Sequence, residues 1–299
     1  TFSFTWAELV YGDYGDATLL TEVFKKYKIS AVMHFAASTV VSESVQHPLL
    51  YYHNNVAKTV TLFDVMIKHN VLQCIFSSSC AVYGNPLYLP LTEEHPCAPI
   101  SPYGTTKYMI EQILKDCQQA YGLEYVALRY FNAAGALPHE GLGERHTPET
   151  HGIPLLLQAV HTGKPFYLYG SDYPTKDGTC IRDYVHVLDI ADAHCKALLH
   201  LHKRLPSDVF NLGTGVGYSV KELLEAVKRV TKKEPVVIPA ARRKGDPAVL
   251  LADPKKAIAL LQWKPVYSDL TTMLQSAWVF EYQVHAPIKS SLKEQSPLL

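Results

Sequence analysis

Apolar residues in the first half of the chain follow two patterns in turn. After Asp16, whose side chain can cap a helix, and again after Pro48, they recur at the spacing of one helix face. The segments 29–35 and 73–77 are instead short, continuous apolar runs, which are typical of strands buried on both faces. The chain therefore predicts helices that alternate with buried strands.

This alternation continues with a helix over 103–119 and a strand over 125–130. Strands that alternate with helices pair in parallel, so the pattern predicts an α/β fold with helices on both faces of one sheet. Ligands of such folds bind at the carboxyl ends of the strands. The first candidates for a binding site are therefore Ala36-Ala37, Ser77-Ser-Ser79 and Phe131-Asn132, which follow strand ends.

The pattern changes in the second half of the chain. Residues 133–180 are rich in Gly, Pro and His and predict loops around one helix at 154–162. A smaller α/β region follows, and we expect a first domain at 1–135, a second mainly at 136–287 with some segments returning to the first, and a polar tail at 288–299. The elements expected in the smaller region are strands at 166–169, 209–212 and 235–238 and helices at 188–201, 220–231 (capped by Ser219), 254–261 and 269–282.

Composition and charge exclude several classes of protein. Lys plus Arg and Asp plus Glu each number 28, so the formal net charge of zero argues against bulk binding of nucleic acid or of an anionic membrane. No apolar run approaches the roughly 18 residues of a membrane span. None of the six cysteines forms a Cys-x-x-Cys pair, so we expect reduced thiols in a cytoplasmic protein, and no metal site.

Tyr103 and Lys107 are the first candidates for catalysis. They lie four residues apart on a predicted helix and share a face. A free tyrosine has a pKa near 10, and a nearby ammonium lowers the pKa by favouring phenolate. Such a tyrosine can take a proton from a substrate hydroxyl while hydride leaves the same carbon for a cofactor. The alternative is a helix-surface pair, which on its own is the commoner case; Ser79, past an earlier strand, and the small residues around Ala36 favour catalysis.

Ten short motifs follow one another between Gly12 and Trp278. They are Gly12-Asp13, His34-Phe-Ala-Ala37, Tyr52-His-Asn-Asn55, Ser77-Ser-Ser-Cys-Ala-Val-Tyr-Gly84, Ser101-Pro-Tyr-Gly-Thr-Thr-Lys107, Arg129-Tyr-Phe-Asn132, Asp172-Tyr-Pro-Thr-Lys-Asp-Gly-Thr179, Arg182-Asp-Tyr-Val-His186, Asn211-Leu-Gly-Thr-Gly215 and Arg242-Arg-Lys-Gly-Asp246. Each is weak alone, but their order is specific. In these motifs the chain resembles the extended short-chain dehydrogenase/reductases, and most closely the UDP-glucose 4-epimerases among them.

The resemblance implies a Rossmann-like doubly wound parallel sheet with a smaller C-terminal α/β substrate domain. It implies tightly bound NAD and the interconversion of UDP-glucose and UDP-galactose through a 4-keto intermediate. Tyr103 would be the catalytic base and acid, Lys107 would tune it and bind the ribose, and Ser79 would hydrogen-bond the reacting hydroxyl. The implied NAD site comprises Asp13, Tyr14, Phe35, Ala36, Ala37, Asn54, Ser77, Tyr103, Lys107 and Phe131. The implied substrate contacts are Ser79, Asn132, Tyr169, Arg182 and Arg243, with Leu250 limiting the sugar's bulk.

Several alternatives remain open beside this resemblance. Arg182-Asp183 is also compatible with a local ion pair, and Arg242-Arg243 with a solvated basic turn. Related 4,6-dehydratases carry an Asp-Glu pair where this chain has Cys80-Ala81, so epimerisation is favoured over dehydration. The substrate pair could instead be N-acetylglucosamine or xylose/arabinose sugars, and the family suggests a homodimer through the helices at 48–70 and 103–119.

The family's Gly-x-x-Gly-x-x-Gly loop is absent from the sequence ahead of the first predicted strand. Since that loop carries the cofactor's pyrophosphate at a helix N-terminus, we expect a truncated N-terminus and a sheet that lacks its first β-α-β unit. A catalytically inactive remnant that binds a nucleotide sugar is therefore the second functional hypothesis.

Overall fold

Helices alternate with strands along most of the chain in the computed structural model, which describes residues 7–243 and 246–285. The strands are β1 (Val32–His34), β2 (Gln73–Ser79), β3 (Glu124–Tyr130), β4 (Asn132–Ala134), β5 (Phe166–Tyr169), β6 (Ile181–His186), β7 (Asp208–Leu212), β8 (Gly217–Ser219), β9 (Val237–Ala240) and β10 (Val249–Leu250). The helices are α1 (Ala17–Lys26), α2 (Val41–Gln46), α3 (Pro48–Tyr51), α4 (Lys58–Lys68), α5 (Pro102–Tyr121), α6 (Gly152–Thr162), α7 (Val187–His202), α8 (Val220–Thr231), α9 (Lys255–Leu260) and α10 (Leu270–His285).

The main sheet is parallel, in the order β1-β2-β3-β7. Successive side chains of a strand point to opposite faces. Ile75 and Val126 therefore pack on one face with α7 and α9, while Phe76 and Ala127 pack on the other with α4 and α5. Both faces are covered, and the α/β class predicted from the sequence is confirmed.

Caps at the helix ends explain several of the element bounds. The Asp16 side chain accepts hydrogen bonds from the first turn of α1. Ser101 accepts from the Gly104 N–H at the start of α5, and Ser219 forms a full capping box with Glu222 on α8. Gly122 ends α5 in the left-handed conformation, at a φ of 72°.

The second region contains two small sheets and a helical layer. One sheet has the order β10-β6-β4 with β8 antiparallel to β6, and the other pairs β5 with β9. Helices α6, α8 and α10 share a core with β4 and β6. Strand β4 begins two residues after the end of β3, so the chain passes directly from the main sheet into the β10-β6-β4 sheet.

Three sequence expectations need correction here. The strand at 209–212 was assigned to the smaller region, but β7 pairs with β3 in the main sheet. The segment 133–180 was expected to hold one helix among loops, yet it also contains strand β4. Strand β6 was not predicted at all, because Arg182 and Asp183 interrupt its apolar pattern.

Two further expectations concern chain ends and membranes. The polar tail expected at 288–299 lies outside the described residues. Within the described part of the chain, no helix combines the length and the apolar character that crossing a bilayer requires.

Candidate active site

The first two turns of α5 carry Tyr103 and Lys107 on their inner face. Both side chains are buried, with 7% and 4% of their surfaces exposed. The absence of a side chain at Gly104 allows this close approach, because a Cβ there would lie 2.5 Å from the Ala81 carbonyl oxygen. The helix therefore delivers Tyr103 against the turn that follows β2.

Lys107 reaches the carboxyl end of β2. Its Nζ donates a 2.8 Å hydrogen bond to the Ser77 carbonyl oxygen and lies 5.9 Å from the centroid of the Tyr103 ring. Burial lowers the pKa of Lys107 to about 8, and the nearby Glu111 carboxylate opposes that fall. The ammonium is thus held in a poorly solvated position from which it can act on Tyr103.

Tyr103 behaves differently from the sequence expectation. Burial raises the pKa of Tyr103, while the hydrogen bond with the Ser79 hydroxyl works in the opposite direction. The expected lowering of this pKa by Lys107 is not found in the structure, because desolvation of the phenol is the larger effect. Without a further positive charge beside it, Tyr103 is therefore protonated at neutral pH, and Ser79 is its hydrogen-bonding partner.

Asp13, Tyr14 and Asn54 come together on one side of β1. Asp13 pairs with Lys58 at 2.5 Å, and the Tyr14 hydroxyl donates to the Asn54 backbone carbonyl. Asn54 lies in a π-helical turn, a local widening that often marks functional sites. These residues border one face of the sheet's carboxyl edge.

The end of β1 presents a flat and partly exposed surface. Phe35 is 57% exposed and lies 4.6 Å, centroid to centroid, from the ring of His194. Ala36-Ala37 follow it, the first exposed and the second half-buried. The Ser77 hydroxyl pairs with His194 at 3.1 Å. Phe131, by contrast, is buried in a separate apolar cluster.

Asn132, Arg182 and Leu250 lie on the small β10-β6-β4 sheet. Leu250 is the cross-strand partner of Arg182, and the Asn132 amide donates to the Asp183 carbonyl oxygen at 2.7 Å. The Arg182 guanidinium pairs with the Asp246 carboxylate. The possible local ion pair between Arg182 and Asp183 is therefore not what forms.

Tyr169 and Arg243 make a separate pair at the end of β5. The guanidinium carbon of Arg243 lies 4.1 Å from the Tyr169 ring centroid, and the tyrosine is 37% exposed. Arg242 pairs with Asp172 at 2.6 Å. The two neighbouring arginines therefore have different partners, and only Arg243 faces Tyr169.

Cys80 links the two halves of the site. It follows β2 directly and packs against the apolar cluster that contains Phe131, as Leu250 also does. Burial raises the pKa of Cys80 to about 12, so the thiol is neutral at physiological pH. The position lacks a group that gives up or takes a proton readily.

A buried polar network behind the site was not predicted from the sequence. Glu111 accepts a 2.5 Å hydrogen bond from Ser78 and a bidentate contact from Arg129. Arg129 also donates to the Tyr83 hydroxyl, which donates to Asn211. Glu111 lies four residues after Lys107 on the same helix face, and this spacing in the sequence could have identified it as a candidate.

Comparisons with known proteins agree with this arrangement. The model of the NAD dependent epimerase/dehydratase family matches residues 2–213. The UDP-glucose 4-epimerase of Halalkalibacterium halodurans is 48% identical over 269 residues, which are 90% of this chain and 80% of that protein.

Solved structures show the same likeness. The UDP-glucose 4-epimerase from Brucella ovis in complex with NAD superposes with a TM-score of 0.88 at 47% identity, covering 91% of this chain and 84% of that one. The UDP-glucose 4-epimerase from Bifidobacterium longum in complex with NAD+ and UDP gives a TM-score of 0.84 at 40% identity, covering 91% and 82%.

Proposed function

Because the chain belongs to the NAD dependent epimerase/dehydratase family, we propose that it is a 4-epimerase that interconverts UDP-glucose and UDP-galactose. The observation that supports this reaction most directly is the buried Tyr103 phenol, hydrogen-bonded to Ser79 and close to Lys107. This is the set of groups that a reversible oxidation at a sugar hydroxyl requires.

The residues at the sheet's carboxyl edge fit NAD. An ammonium has three donors, and the hydrogen bond from Lys107 to Ser77 leaves two of them for ribose hydroxyls. The exposed Phe35 ring and the small Ala36 offer a flat surface for an aromatic ring. Tyr14 and Asp13 border the position that the adenine end would take.

In the proposed mechanism, Tyr103 takes the proton of the sugar C4 hydroxyl while Ser79 donates a hydrogen bond to the same oxygen. This step requires Tyr103 as the phenolate. The positive charges of the Lys107 ammonium and of oxidised NAD, when bound, would favour that form and oppose the burial that raises the pKa of Tyr103. When bound, NAD would supply the acceptor, and afterwards the donor, of the C4 hydride. Tyr103 then gives its proton back to the C4 oxygen, which balances the reaction.

The neutral thiol at Cys80 supports epimerisation over dehydration. Elimination of water from a keto sugar needs an acid and a base beside the sugar. Cys80, with a pKa of about 12, supplies neither at neutral pH, and the neighbouring Ala81 has no polar side chain. We therefore expect the keto sugar to be reduced back to an alcohol rather than to lose water.

The arginines and Tyr169 form the proposed clamp for UDP. The Arg182 side chain is 11% exposed, and its fork geometry suits a diphosphate oxygen pair. Arg243 and Tyr169 bring a cation and an aromatic face together, which suits phosphate and uracil. A firmly held diphosphate leaves the sugar free to present either face.

Assembly and location are inferred as well. Val60 on α4 and Met109 on α5 are exposed apolar side chains, 45% and 37% accessible, and they support a homodimer through these helices. All six cysteines are free thiols, which supports a location in the cytoplasm.

Conversion of UDP-galactose to UDP-glucose by the NAD-supplemented chain tests the proposal. We expect Tyr103→Phe to lower the rate at least ~100-fold, because general acid–base catalysis contributes at least that much. Tyr121→Phe is the matched control, since Tyr121 is an exposed tyrosine on the same helix. Equal rates in both variants would disprove the role of Tyr103.

UDP-N-acetylglucosamine as a parallel substrate tests the sugar preference. A chain that binds UDP but converts neither sugar would support the alternative of a non-catalytic binding protein.

A further inference from the structure

Two Glu-x-His pairs converge in the loop before α6. They are Glu144-Arg145-His146 and Glu149-Thr150-His151. The four ligand-bearing side chains bring one potential metal-binding atom each to within 4.8 Å of one another. Sequence reasoning expected no metal site because it considered the cysteines alone.

The potential ligand atoms of this cluster lie close together. His146 Nδ1 lies 3.1 Å from Glu144 Oε1 and 3.7 Å from Glu149 Oε1. His151 Nδ1 contacts the same Glu144 oxygen and lies 3.9 Å from Glu149 Oε1. In a tetrahedral zinc site with bonds near 2.0–2.1 Å, ligand atoms lie about 3.3 Å apart. Small side-chain adjustments would therefore give a coordination shell.

The charge of the cluster also calls for a cation. The Glu149 side chain is 5% exposed and the Glu144 side chain is 22% exposed. Within 7–243 and 246–285, the ion pairs of both carboxylates are with His146 and His151. Neither carboxylate has a lysine or arginine partner there, so a bound cation would compensate them directly.

We propose that Glu144, His146, Glu149 and His151 form a binding site for a divalent transition metal ion, zinc foremost. Imidazole and carboxylate are ligands that zinc takes in proteins, and four protein ligands close its tetrahedral shell. A closed shell leaves no position for a substrate, so the site is structural. It fastens the loop to the start of α6, next to a small cavity lined by Glu144, Ile153 and Phe280.

Calorimetric titration with Zn²⁺ tests the site in the full chain, prepared without a histidine tag and stripped with a chelator. We expect about one ion per chain with a Kd at or below ~1 μM. His146→Ala and His151→Ala should each weaken Zn²⁺ binding more than ~10-fold. Loss of a residue that only supports a metal ligand already costs about that much, and these variants remove a ligand itself. His202→Ala, an exposed histidine on α7, is the matched control and should bind like the parent chain.

Co²⁺ reports the ligand set independently. A four-coordinate site gives visible d–d absorption, which His146→Ala should abolish and His202→Ala should retain. His146 and His151 are 37% and 49% exposed, so their truncation leaves the core intact, and far-UV circular dichroism checks this. If one variant fails to fold, the other carries the test.

Absence of Zn²⁺ binding, or equal binding by the parent chain and both cluster variants, would overturn the proposal and leave a hydrogen-bonded cluster only. Because binding is read without any turnover, failure of this site is distinguishable from failure of the epimerase assignment.

Discussion

Replacing Lys107 by methionine should make the protein more stable and inactive at the same time. The ordinary pKa of lysine is 10.5, and burial lowers the pKa of Lys107 to about 8. At 1.36 kcal/mol per pH unit, this difference corresponds to roughly 3 kcal/mol by which the buried charge destabilises the folded state below pH 8. Loss of the hydrogen bond to Ser77 offsets about 1 kcal/mol of the gain. The net stabilisation expected at pH 7 is roughly 2 kcal/mol.

The stability advantage of Lys107→Met should depend on pH. Between pH 8 and 10.5 the unfolded chain binds more protons at this lysine than the folded chain, so the stability of the parent protein rises with pH in that window. Methionine does not titrate. The advantage of Lys107→Met should therefore be full at pH 7 and should disappear by about pH 10.5.

Urea unfolding at pH 7 and pH 10, followed by the fluorescence of the buried Trp263, measures both quantities. Lys115→Met, at an exposed position of the same helix, is the matched control and should change stability little at either pH. A Lys107→Met protein that is less stable than the parent at pH 7, or a difference that is the same at both pH values, would refute the reasoning. Catalysis should be lost in Lys107→Met, because the cation that favours the Tyr103 phenolate is gone.

Other predictions concern the buried network, the substrate clamp and a helix cap. Glu111→Ala should lower the free energy of unfolding by about 3–5 kcal/mol, because Arg129 is left buried and unpaired; Asp64→Ala, which breaks an exposed pair, should change it by less than ~1 kcal/mol in the same urea titration. Arg182→Ala should weaken UDP binding ~10–100-fold in calorimetry, and an unchanged Kd would exclude it from the clamp. Ser219→Ala should destabilise the protein by about 1 kcal/mol in thermal unfolding, since it removes the capping box of α8.

Local sequence patterns predicted the fold well where a segment's own apolar spacing and capping residues determine its structure. The helix after Ser219 was expected at 220–231, where α8 lies, and its capping box is complete. Strand β6 was missed because Asp183 interrupts its apolar run. The Asp183 carboxylate is fully buried. The cost of burying it is offset by backbone hydrogen bonds that it accepts from Thr214, Gly215 and Ala252. These partners lie far away in sequence, and no local pattern reveals them.

In the candidate site, too, the features that depend on local spacing were predicted and those that depend on distant residues were not. Spacing on one helix identified Tyr103 and Lys107, and the structure brings Ser79 to Tyr103. The degree of burial could not be read from spacing, so the direction of the Tyr103 pKa was wrong. Glu111 was missed because its importance depends on Arg129 from the neighbouring strand.

Transient oxidation at the sugar C4 atom is the central claim, and the fate of a deuterium label at C4 tests it most directly. UDP-galactose deuterated at C4 is incubated with the NAD-supplemented chain in ordinary water, and the UDP-glucose formed is analysed by mass spectrometry and proton NMR. If hydride leaves C4 and returns to the same carbon, the label is retained at C4 of the product, and the reaction is slowed relative to unlabelled substrate. Loss of the deuterium to solvent would contradict the account, because it would mean that C4 exchanges a proton rather than a hydride.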